Sequence, residues 1–438
     1  MNIAVIGGGI AGMSTAYYIN KFIPNARVDI YEKGNDIGGL AGVMKVGDAL
    51  VEKYYHHLFT HDKFYLDLAE ELGLTNELIW KESKVGFYHS GTHYRFTTPM
   101  DLLRFKPLSF ANRIKFGLSS LFISRYNDID KLESMTTEEF MVKYVGKQGW
   151  EVIWKPMLRI KFGENYNKIP AVWIWERIVQ RFKSRSSGGK KELLGYMKGS
   201  FQTFNQKLLN TLVERNVSVH LDSTIDEIVI DNNRCTGIIV NNNFVKYDYV
   251  VCTAALPVFV KLCKNAPESY LAPLRSVEYD CALVALMTLS KPVGDMYWLN
   301  IADNEIPFGG LIEHTNFIGS ENYEGKTLLY FSKYLNVNDP LMRTKDEEIK
   351  QSYTKYLKKI YHGFDEKTIE SFIVSRDRYA QPIWPMKYSK IKPNYKTPIE
   401  GLFLSNTSQI YPNDRGMNFS VKLGKEVSEV VRDTVKKE

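Results

Sequence analysis

Three of the chain's eight histidines lie within six residues of one another, in the segment VEKYYHHLFTHD at residues 51–62. His56 and His57 are adjacent, and His61 follows after a short stretch. Imidazole titrates near neutral pH and is a common metal ligand, so the cluster suits acid–base chemistry, a metal site or a pocket wall. An extended segment would place His56 and His57 on opposite faces, and no nearby carboxylate or cysteine spacing completes a metal-ligand set. We therefore predict no metal site.

A glycine motif stands at the start of the chain, in the segment MNIAVIGGGIAGMSTAYYINK. Gly7, Gly9 and Gly12 have the G-x-G-x-x-G spacing, after an apolar strand and before a helical pattern. The first glycine permits a tight turn, the second lets the backbone approach a pyrophosphate, and the third lets helix and strand pack closely. A second strand, RVDIYEK, brings Glu32 to the position of an acid that binds a ribose hydroxyl. We predict dinucleotide binding; the alternative is a tight turn without a ligand.

A second pair of glycines follows in the segment KGNDIGGLAG. Gly38 and Gly39 resemble the second glycine signature of FAD-binding oxidases and mutases, which favours a flavin over a nicotinamide. A strand-rich segment around residues 222–240, with Ile225 near its centre, resembles the part of these flavoproteins that covers the adenine. In the last segment Gly416 precedes a predicted helix, whose N-terminus in the related flavoproteins points at the flavin ring.

The chain thus resembles the FAD-dependent superfamily that contains amine oxidases, protoporphyrinogen oxidases, carotenoid desaturases and UDP-galactopyranose mutases. The resemblance covers residues 1–60, 200–260 and 395–435. It implies FAD as the cofactor and an α/β fold with a discontinuous Rossmann-like FAD-binding domain. The cofactor-binding residues it implies are Gly7, Gly9, Ile10, Ala11, Gly12, Glu32, Lys33, Gly38, Gly39, Leu40, Ala41, Ile225, Asn406, Thr407, Gly416, Met417, Asn418 and Phe419.

The domain organisation follows from the same resemblance and from the residues between its parts. A mixed helical and β-rich substrate domain is expected to be inserted into the FAD-binding domain. The predicted FAD-binding segments are residues 1–61, 196–269 and 395–438. The predicted helical insertion is residues 62–195, and the β-rich part of the substrate domain is residues 270–394. The segment KSRSSGGKK, residues 183–191, is predicted to be a loop.

Some segments are similar to the mutase branch of the superfamily. YYHHLFTHD is similar to a mutase segment that places His57 beside the flavin, and IPFGGLIEHTNF places His314 in a second similar segment. Tyr334 falls near a mutase tyrosine that contacts the substrate diphosphate. The chain has Gly310 and Glu164 where mutases have arginines, and a diphosphate would lose charge-assisted hydrogen bonds there.

The resemblance makes His57, His314 and Tyr334 the candidate catalytic residues. His57 would orient the substrate or influence a proton near the flavin, since imidazole titrates near neutral pH. The alternative is that His57 only packs against the ring and that His314 is a core histidine with an internal partner. His56 and His61 are interpreted as structural.

Composition excludes several classes of protein. The chain has 57 Lys and Arg against 50 Asp and Glu, a net charge of +7 without a long block of like charge, so no nucleic-acid partner is predicted. Its four cysteines form no close pair, which indicates buried thiols rather than disulfides or a zinc site. Strand-forming residues begin at Asn2, which leaves no room for a signal peptide, and no apolar run is long enough to span a membrane.

One segment combines apolar and basic residues. Residues 99–126 contain five basic residues and one acid among many Leu, Phe and Ile side chains. Such a composition suits peripheral contact with an anionic membrane, and the alternative is a packed helical region with a solvated basic face. We therefore predict a cytoplasmic protein, with contact at the inner face of the membrane as an open possibility.

Three functions remain open from the sequence. The first is an FAD-dependent oxidoreductase that transfers hydride from an apolar, lipid-linked or sugar-linked small molecule to flavin N5. The second is a non-redox sugar mutase that uses reduced flavin. The third is a prenyl- or lipid-binding protein without catalysis, although known proteins of that type have lost the glycine motif that this chain retains.

Overall fold

Short apolar segments from the beginning, middle and end of the chain form one parallel sheet. A computed structural model of the protein describes residues 1–186 and 193–437, so the predicted loop KSRSSGGKK lies mostly outside the described residues. The described strands are β1 Asn2–Ile6, β2 Arg27–Tyr31, β3 Val43–Val46, β4 Ala49–Glu52, β5 Leu58–Phe59, β6 Leu78–Glu82, β7 Val85–His89, β8 Thr92–Arg95, β9 Leu193–Met197, β10 Ser218–His220, β11 Ile225–Asp231, β12 Arg234–Val240, β13 Asn243–Lys246, β14 Tyr249–Cys252, β15 Glu278–Leu289, β16 Trp298–Ile301, β17 Gly310–Glu313, β18 Thr327–Asn336, β19 Ile369–Ile383 and β20 Leu402–Leu404.

Helices connect these strands and cover the sheets. The described α-helices are α1 Ile10–Phe22, α2 Lys63–Glu71, α3 Pro99–Arg104, α4 Phe110–Ile123, α5 Ile129–Glu133, α6 Thr137–Tyr144, α7 Lys147–Gly149, α8 Lys155–Phe162, α9 Ala171–Ser186, α10 Gln202–Glu214, α11 Leu256–Leu262, α12 Glu268–Arg275, α13 Asp346–Ile360 and α14 Met417–Val435. A π-helical turn, Trp150–Trp154, leads into α8.

The parallel sheet has the strand order β10-β2-β1-β14-β20. Its central strand β1 pairs on both sides, so that Ile6 lies opposite Tyr31 and Cys252, and the carboxyl ends of the three strands meet at one edge. α1 and α14 pack together on this sheet, and a Cβ atom at Gly424 would lie 2.7 Å from Ser14. The α/β fold class and its Rossmann-like sheet are confirmed.

The larger sheet has seven strands in the order β19-β15-β18-β17-β16-β7-β8. Its long strand β15 is buried along almost its whole length, and its alternate residues belong to two different hydrophobic clusters. The hairpin β7–β8 reaches this sheet from the region expected to be mostly helical, and pairs through Val85 with Trp298. The helical description of that region was therefore incomplete, because the region also contains β6 and the antiparallel hairpin β7–β8. The residue limits of the predicted domains stay a prediction.

The remaining expectations concern cysteines, metals and membranes. Among the described residues, Cys235, Cys252, Cys263 and Cys281 are buried free thiols. No group of three or more potential metal ligands occurs in residues 1–186 and 193–437. None of the described helices has the length and the apolar character needed to span a bilayer.

Candidate functional site

The glycine motif forms a tight turn between β1 and α1. Gly7 has φ +110°, a conformation that residues with a side chain rarely adopt. A Cβ atom at Gly12 would lie 1.8 Å from the carbonyl oxygen of Gly7, so only glycine lets α1 approach the strand. At Gly9 a Cβ atom would meet its nearest neighbour at 3.8 Å, which leaves room above the backbone. The turn therefore combines close internal packing with an open approach to the N-terminus of α1.

The second glycine pair lies directly against this turn. The backbone nitrogen of Gly38 donates a hydrogen bond of 2.9 Å to the carbonyl oxygen of Gly8, and Gly9 and Gly38 form a β-bridge. Gly38 and Gly39 both have positive φ, at 100° and 57°. A Cβ atom at Gly39 would lie 3.3 Å from the Cα atom of Gly9. The fold thus joins two glycine segments that the sequence separates.

Glu32 lies at the same place, immediately after β2. Its carboxylate accepts hydrogen bonds from the backbone nitrogens of Gly8, at 2.7 Å, and Gly34, at 2.8 Å. The predicted ribose-binding acid therefore lies beside the glycine turn. Lys33, which follows it, is exposed.

The other predicted cofactor residues are placed by short local elements. Ile10 and Ala11 form the first turn of α1, and Leu40 and Ala41 lie in the 3-10 turn Gly39–Ala41. Ile225 begins β11.

Asn406 and Thr407, the predicted cofactor residues after β20, form a turn within the protein. The side chain of Asn406 is buried, donates to the carbonyl oxygen of Ala254 at 2.8 Å and accepts from Ser408. Thr407 begins the 3-10 turn that Asn406 caps. The Asn406 amide is therefore satisfied within the protein, and any contact with a cofactor would have to come from the backbone here.

A cavity of about 620 Å³ lies at the start of α14. Residues Gly416, Met417, Asn418 and Phe419 form part of its lining, together with side chains from α8, α9 and the larger sheet. Its apolar wall includes Trp154, Met157, Leu158, Trp173, Ile174 and Ile178. Its charged residues are Lys63, Lys161, Arg177, Arg181, Lys333 and Arg415, with Asp62, Glu176 and Asp414.

His56, His57 and His61 all line this cavity. Residues 53–57 do not form a strand, so the expectation that His56 and His57 point to opposite faces was wrong. The ring Nδ1 of His57 lies 3.3 Å from the hydroxyl oxygen of Tyr297, and that of His56 contacts the carbonyl oxygen of Tyr54. Burial lowers the pKa of His57 to about 3 and that of His56 to about 4. Both rings are neutral near pH 7, unlike an imidazole in water.

Tyr334 lies in the cavity against a cation that the sequence analysis missed. Arg415 donates hydrogen bonds to the Tyr334 hydroxyl at 2.7 Å and to the Gln381 side-chain oxygen at 3.1 Å. Lys161 lies over the Tyr334 ring and pairs with Asp414 at 2.8 Å. Burial raises the pKa of Tyr334, but Arg415 and Lys161 outweigh it and hold the pKa below its usual value. The one sequence signal for Arg415 as a site residue is its position directly before Gly416, which is predicted to lie near the flavin.

His314 is not brought to the cavity. Its side chain is buried, and its Nε2 atom lies 2.7 Å from the hydroxyl oxygen of Tyr323. Burial lowers its pKa to about 3. Of the three candidate catalytic residues, the structure brings His57 and Tyr334 together at one cavity and leaves His314 in the core.

The residues present fit FAD. The N-cap residues of α1 and α14 are Gly9 and Gly416, which provide no capping side chain, so the first-turn N–H groups of both helices are available to an anionic or carbonyl group. The open space at Gly9 suits a pyrophosphate, and a Cβ atom at Gly416 would meet nothing within 4 Å. A dinucleotide with a flavin ring at the α14 end would satisfy both helix termini.

A family model described as flavin-containing amine oxidoreductase matches residues 10–431 of the chain. The protoporphyrinogen oxidase of Schizosaccharomyces pombe is 50% identical over 46 residues, which cover 10% of this chain and only 9% of that protein. The 4,4'-diapophytoene desaturase (4,4'-diaponeurosporene-forming) of Staphylococcus haemolyticus is 22% identical over 405 residues, which cover 79% of this chain and 74% of the desaturase.

Solved structures share the complete fold. A candidate protoporphyrinogen oxidase from Exiguobacterium sp. 255-15 has a TM-score of 0.81 at 17% identity, with 99% of each chain covered. A reduced UDP-galactopyranose mutase has a TM-score of 0.76 at 14% identity, with 99% of this chain and 96% of the mutase covered. Because the sequence identities are below 25%, these similarities show a shared fold and nothing about substrate or activity.

Proposed function

The chain belongs to the flavin-containing amine oxidoreductase family, whose cofactor is FAD, and we propose that it is an FAD-dependent oxidoreductase. Its substrate is a small molecule with a substantial apolar part, bound in the cavity at the start of α14. The wall of Trp, Met, Leu and Ile side chains supports this class of substrate. Its relatives include a 4,4'-diapophytoene desaturase and a protoporphyrinogen oxidase, both named for the oxidation of small molecules.

Two sets of backbone groups would hold the cofactor. The turn at Gly7–Gly12 and the second glycine pair would receive the pyrophosphate, and Glu32 would bind a ribose hydroxyl. The N–H groups at the start of α14 would bind the flavin end. FAD, when bound, supplies the acceptor for a hydride from a substrate carbon.

The chain's own side chains would orient the substrate and exclude water. His57 is neutral and would exchange a hydrogen bond with a substrate rather than carry charge. Tyr334 is fixed by Arg415, and its lowered pKa makes its phenol a better hydrogen-bond donor and a candidate to transfer a proton. The apolar walls would keep the reacting carbon dry.

The uncapped N-terminus of α14 at a cavity with apolar walls is the observation that carries this proposal. We expect the purified protein to bind about one FAD per chain and to be reduced anaerobically by its substrate, with bleaching of the flavin absorbance. Candidate substrates are apolar and lipid-linked molecules with an oxidisable carbon. A protein that binds no flavin under any condition would contradict the proposal and would favour the lipid-binding function.

A sugar mutase is the second candidate, and the shared fold with the reduced mutase is the observation in its favour. Gly310 lies on β17 opposite Ser332 of β18 and has no side chain, so this position provides no cation for a diphosphate. A mutase would interconvert UDP-galactopyranose and UDP-galactofuranose only after dithionite reduction and without net electron transfer. An oxidoreductase would leave these sugars unchanged and consume an electron acceptor.

We also propose that α4 contacts an anionic membrane. The α4 apolar face, defined as Phe110, Ile114, Leu118, Leu121 and Phe122, is exposed, with Phe110 at 68% and Leu118 at 65%. These positions recur at helical spacing, and α4 buries only Phe116 and Ile123.

Basic side chains surround this face. Arg104, Lys106, Lys115 and Arg125 are exposed around it. Apolar side chains flanked by basic ones match the interface of an anionic bilayer, and nine of the fifteen most exposed large apolar side chains of the described residues lie at positions 100–142. This concentration distinguishes the face from singly scattered apolar residues.

Co-sedimentation with vesicles tests the α4 proposal. We expect binding to vesicles that contain phosphatidylglycerol, weaker binding at high salt, and loss of binding in the double variant Phe110→Ser and Leu118→Ser. Phe244→Ser is the matched control, because Phe244 is 56% exposed on a strand elsewhere. Equal binding by the double variant would contradict the proposal. Self-association of the wild-type protein that the double variant abolishes, without vesicle binding, would instead make the face an interface between copies of the chain.

A further inference from the structure

Arg177 is a cation of the cavity that lacks a partner in the part of the chain that the structure describes. It lies on α9, is partly buried and lines the cavity. Among residues 1–186 and 193–437, no side chain or carbonyl oxygen forms an ion pair or hydrogen bond with it. A guanidinium group that lines a cavity without an acceptor from the described residues keeps its N–H donors available, so this position suits an anion supplied from outside the chain.

The other groups of the cavity are arranged around Arg177. Its charge lowers the pKa of Asp62 and of Asp414, and it disfavours protonation of His57, so it lies within electrostatic range of all three. Asp414 already pairs with Lys161. Asp62 accepts a backbone hydrogen bond from Phe59, and burial keeps its pKa raised, to about 6. Asp414 is therefore occupied by Lys161, Glu176 accepts a hydrogen bond from Gln180, and Asp62 is held by the backbone of Phe59.

The cavity as a whole is positively charged. Six cationic side chains and three carboxylates line it, which leaves a net charge of +3 with neutral histidines. Since cations in a low-dielectric cavity concentrate counter-ions, an anionic ligand is favoured over a neutral or cationic one. A simple amine would be repelled by this lining.

Apolar residues stand next to Arg177 on the same helix. Trp173, Ile174 and Ile178 line the cavity with it, at spacings that place them on one face of α9. Trp154 and Leu158 of the preceding helical segment add to the same wall. A ligand that meets Arg177 thus also meets a continuous apolar surface.

We propose that the substrate combines an apolar body with an anionic head, a carboxylate or a phosphate, and that Arg177 binds the head. The planar guanidinium offers two parallel N–H donors to two oxygens of such a group, a geometry that a lysine does not reproduce. This inference rests on the proposed function for the chemistry at the flavin end. It adds the class of substrate and the residue that selects it.

Calorimetric titration of the FAD-loaded protein tests the proposal without any turnover. The probes are dodecyl phosphate, dodecanoate and dodecanol, which share one apolar chain, each used below its micelle concentration. We expect the better of the two anions to bind at least about tenfold more tightly than the alcohol, as for a charge-assisted hydrogen bond. Whichever anion binds more tightly identifies the head group as phosphate or carboxylate. Equal affinity for all three probes would overturn the proposal.

Variants assign the preference to Arg177. In Arg177→Met the anions should lose their advantage while dodecanol binds as before, and Arg177→Lys should retain part of it. Arg343→Met is the matched control, because Arg343 is exposed and does not line the cavity. Retention of the full anion preference in Arg177→Met would also overturn the proposal. The flavin content of each protein is measured separately, so failure to bind FAD contradicts the proposed function, whereas flavin-loaded protein without anion preference contradicts only this inference.

Discussion

The glycine edge of the parallel sheet and the wall of the cavity are built in different ways. At the edge, backbone groups of residues 7–12 and 38–39 are in contact, and a single carboxylate, Glu32, is tied to them. At the wall, side chains from the segment after β4, from α8 and α9, from β18 and from the start of α14 converge. α14 belongs to both regions, since it packs on α1 and its first residues line the cavity.

The difference shows which part of a site tolerates change. The glycine edge depends on the absence of side chains, so any addition acts through steric exclusion. The wall depends on specific side chains, many of them buried, and burial and charge set their protonation states. Substitutions at the edge should therefore affect folding or cofactor binding, and those at the wall should affect substrate binding and proton affinity.

The largest effect is expected at Gly12. The Cβ atom of a valine there would lie 1.8 Å from the carbonyl oxygen of Gly7, and neither backbone can move without breaking β1 or α1. We expect Gly12→Val to lower the free energy of unfolding by more than about 3 kcal/mol or to prevent folding. Denaturant unfolding followed by circular dichroism measures this. Gly117→Ala is the control, since Gly117 lies in α4 with nothing within 4 Å and should tolerate the change.

Gly9→Val separates cofactor binding from folding. The backbone at Gly9 has φ −74°, and its Cβ position has ordinary contacts, so the apoprotein should fold with nearly unchanged stability. The side chain would occupy the space above the N-terminus of α1, where the pyrophosphate is expected. Flavin content should fall from about one per chain to nearly none. A yellow, flavin-loaded variant would place the pyrophosphate elsewhere. It would also contradict the view that the glycine edge acts through steric exclusion.

Arg415→Met tests the wall. The variant removes the donors to Tyr334 and Gln381, which should cost about 1–3 kcal/mol of stability, while the flavin is retained. Since burial alone raises the pKa of Tyr334 and Arg415 is the largest influence that lowers it, the pKa should rise above its usual value in the variant. The tyrosinate absorbance, with Tyr334→Phe to assign it, measures the change. An unchanged titration would mean that Arg415 does not set the proton affinity of Tyr334.

The smallest effect is expected for a change of pH near neutrality, which should leave the protonation state of His57 unchanged. Because burial, with smaller contributions from His56 and Arg177, lowers the pKa of His57 to about 3, its ring should remain neutral from pH 5 to pH 8. Its lowered pKa contributes stability that is fully present above the unfolded pKa near 6.5 and is lost as the pH falls toward 3. NMR titration, with His57→Gln to assign the signal, should show no shift in this range. A midpoint near 6.5 would restore His57 as an acid–base group.

The sequence was informative where the chemistry is local. The strand, the glycine turn, α1 and the acid after β2 lie within about thirty residues, and their order is set by backbone sterics, so a short motif predicts the whole arrangement. Gly38 and Gly39 were predicted as cofactor residues from a signature of the family, and only the fold revealed their contact with Gly9. Asn406 was predicted from the same family pattern, yet its side chain is used to cap a turn, which depends on the neighbouring Ala254 and Ser408.

The sequence was less informative about the wall. His56 and His61 are structural in the sequence interpretation, which stays a prediction, and the fold places both of them in the cavity lining together with His57. His314 had a plausible motif, but Tyr323 satisfies it in the core. Arg177 and Arg415 carried no motif, because a cation becomes significant only through what surrounds it.

The sequence by itself determined the α/β class, the FAD family and the glycine edge, because these depend on backbone conformation and on spacings along a short stretch of chain. Only the tertiary structure decided which side chains share the cavity, that Arg177 lacks a partner among the described residues, and that Tyr334 and His57 have shifted proton affinities. Those properties arise from burial and from charges that come from distant segments, and neither quantity exists until the chain is folded.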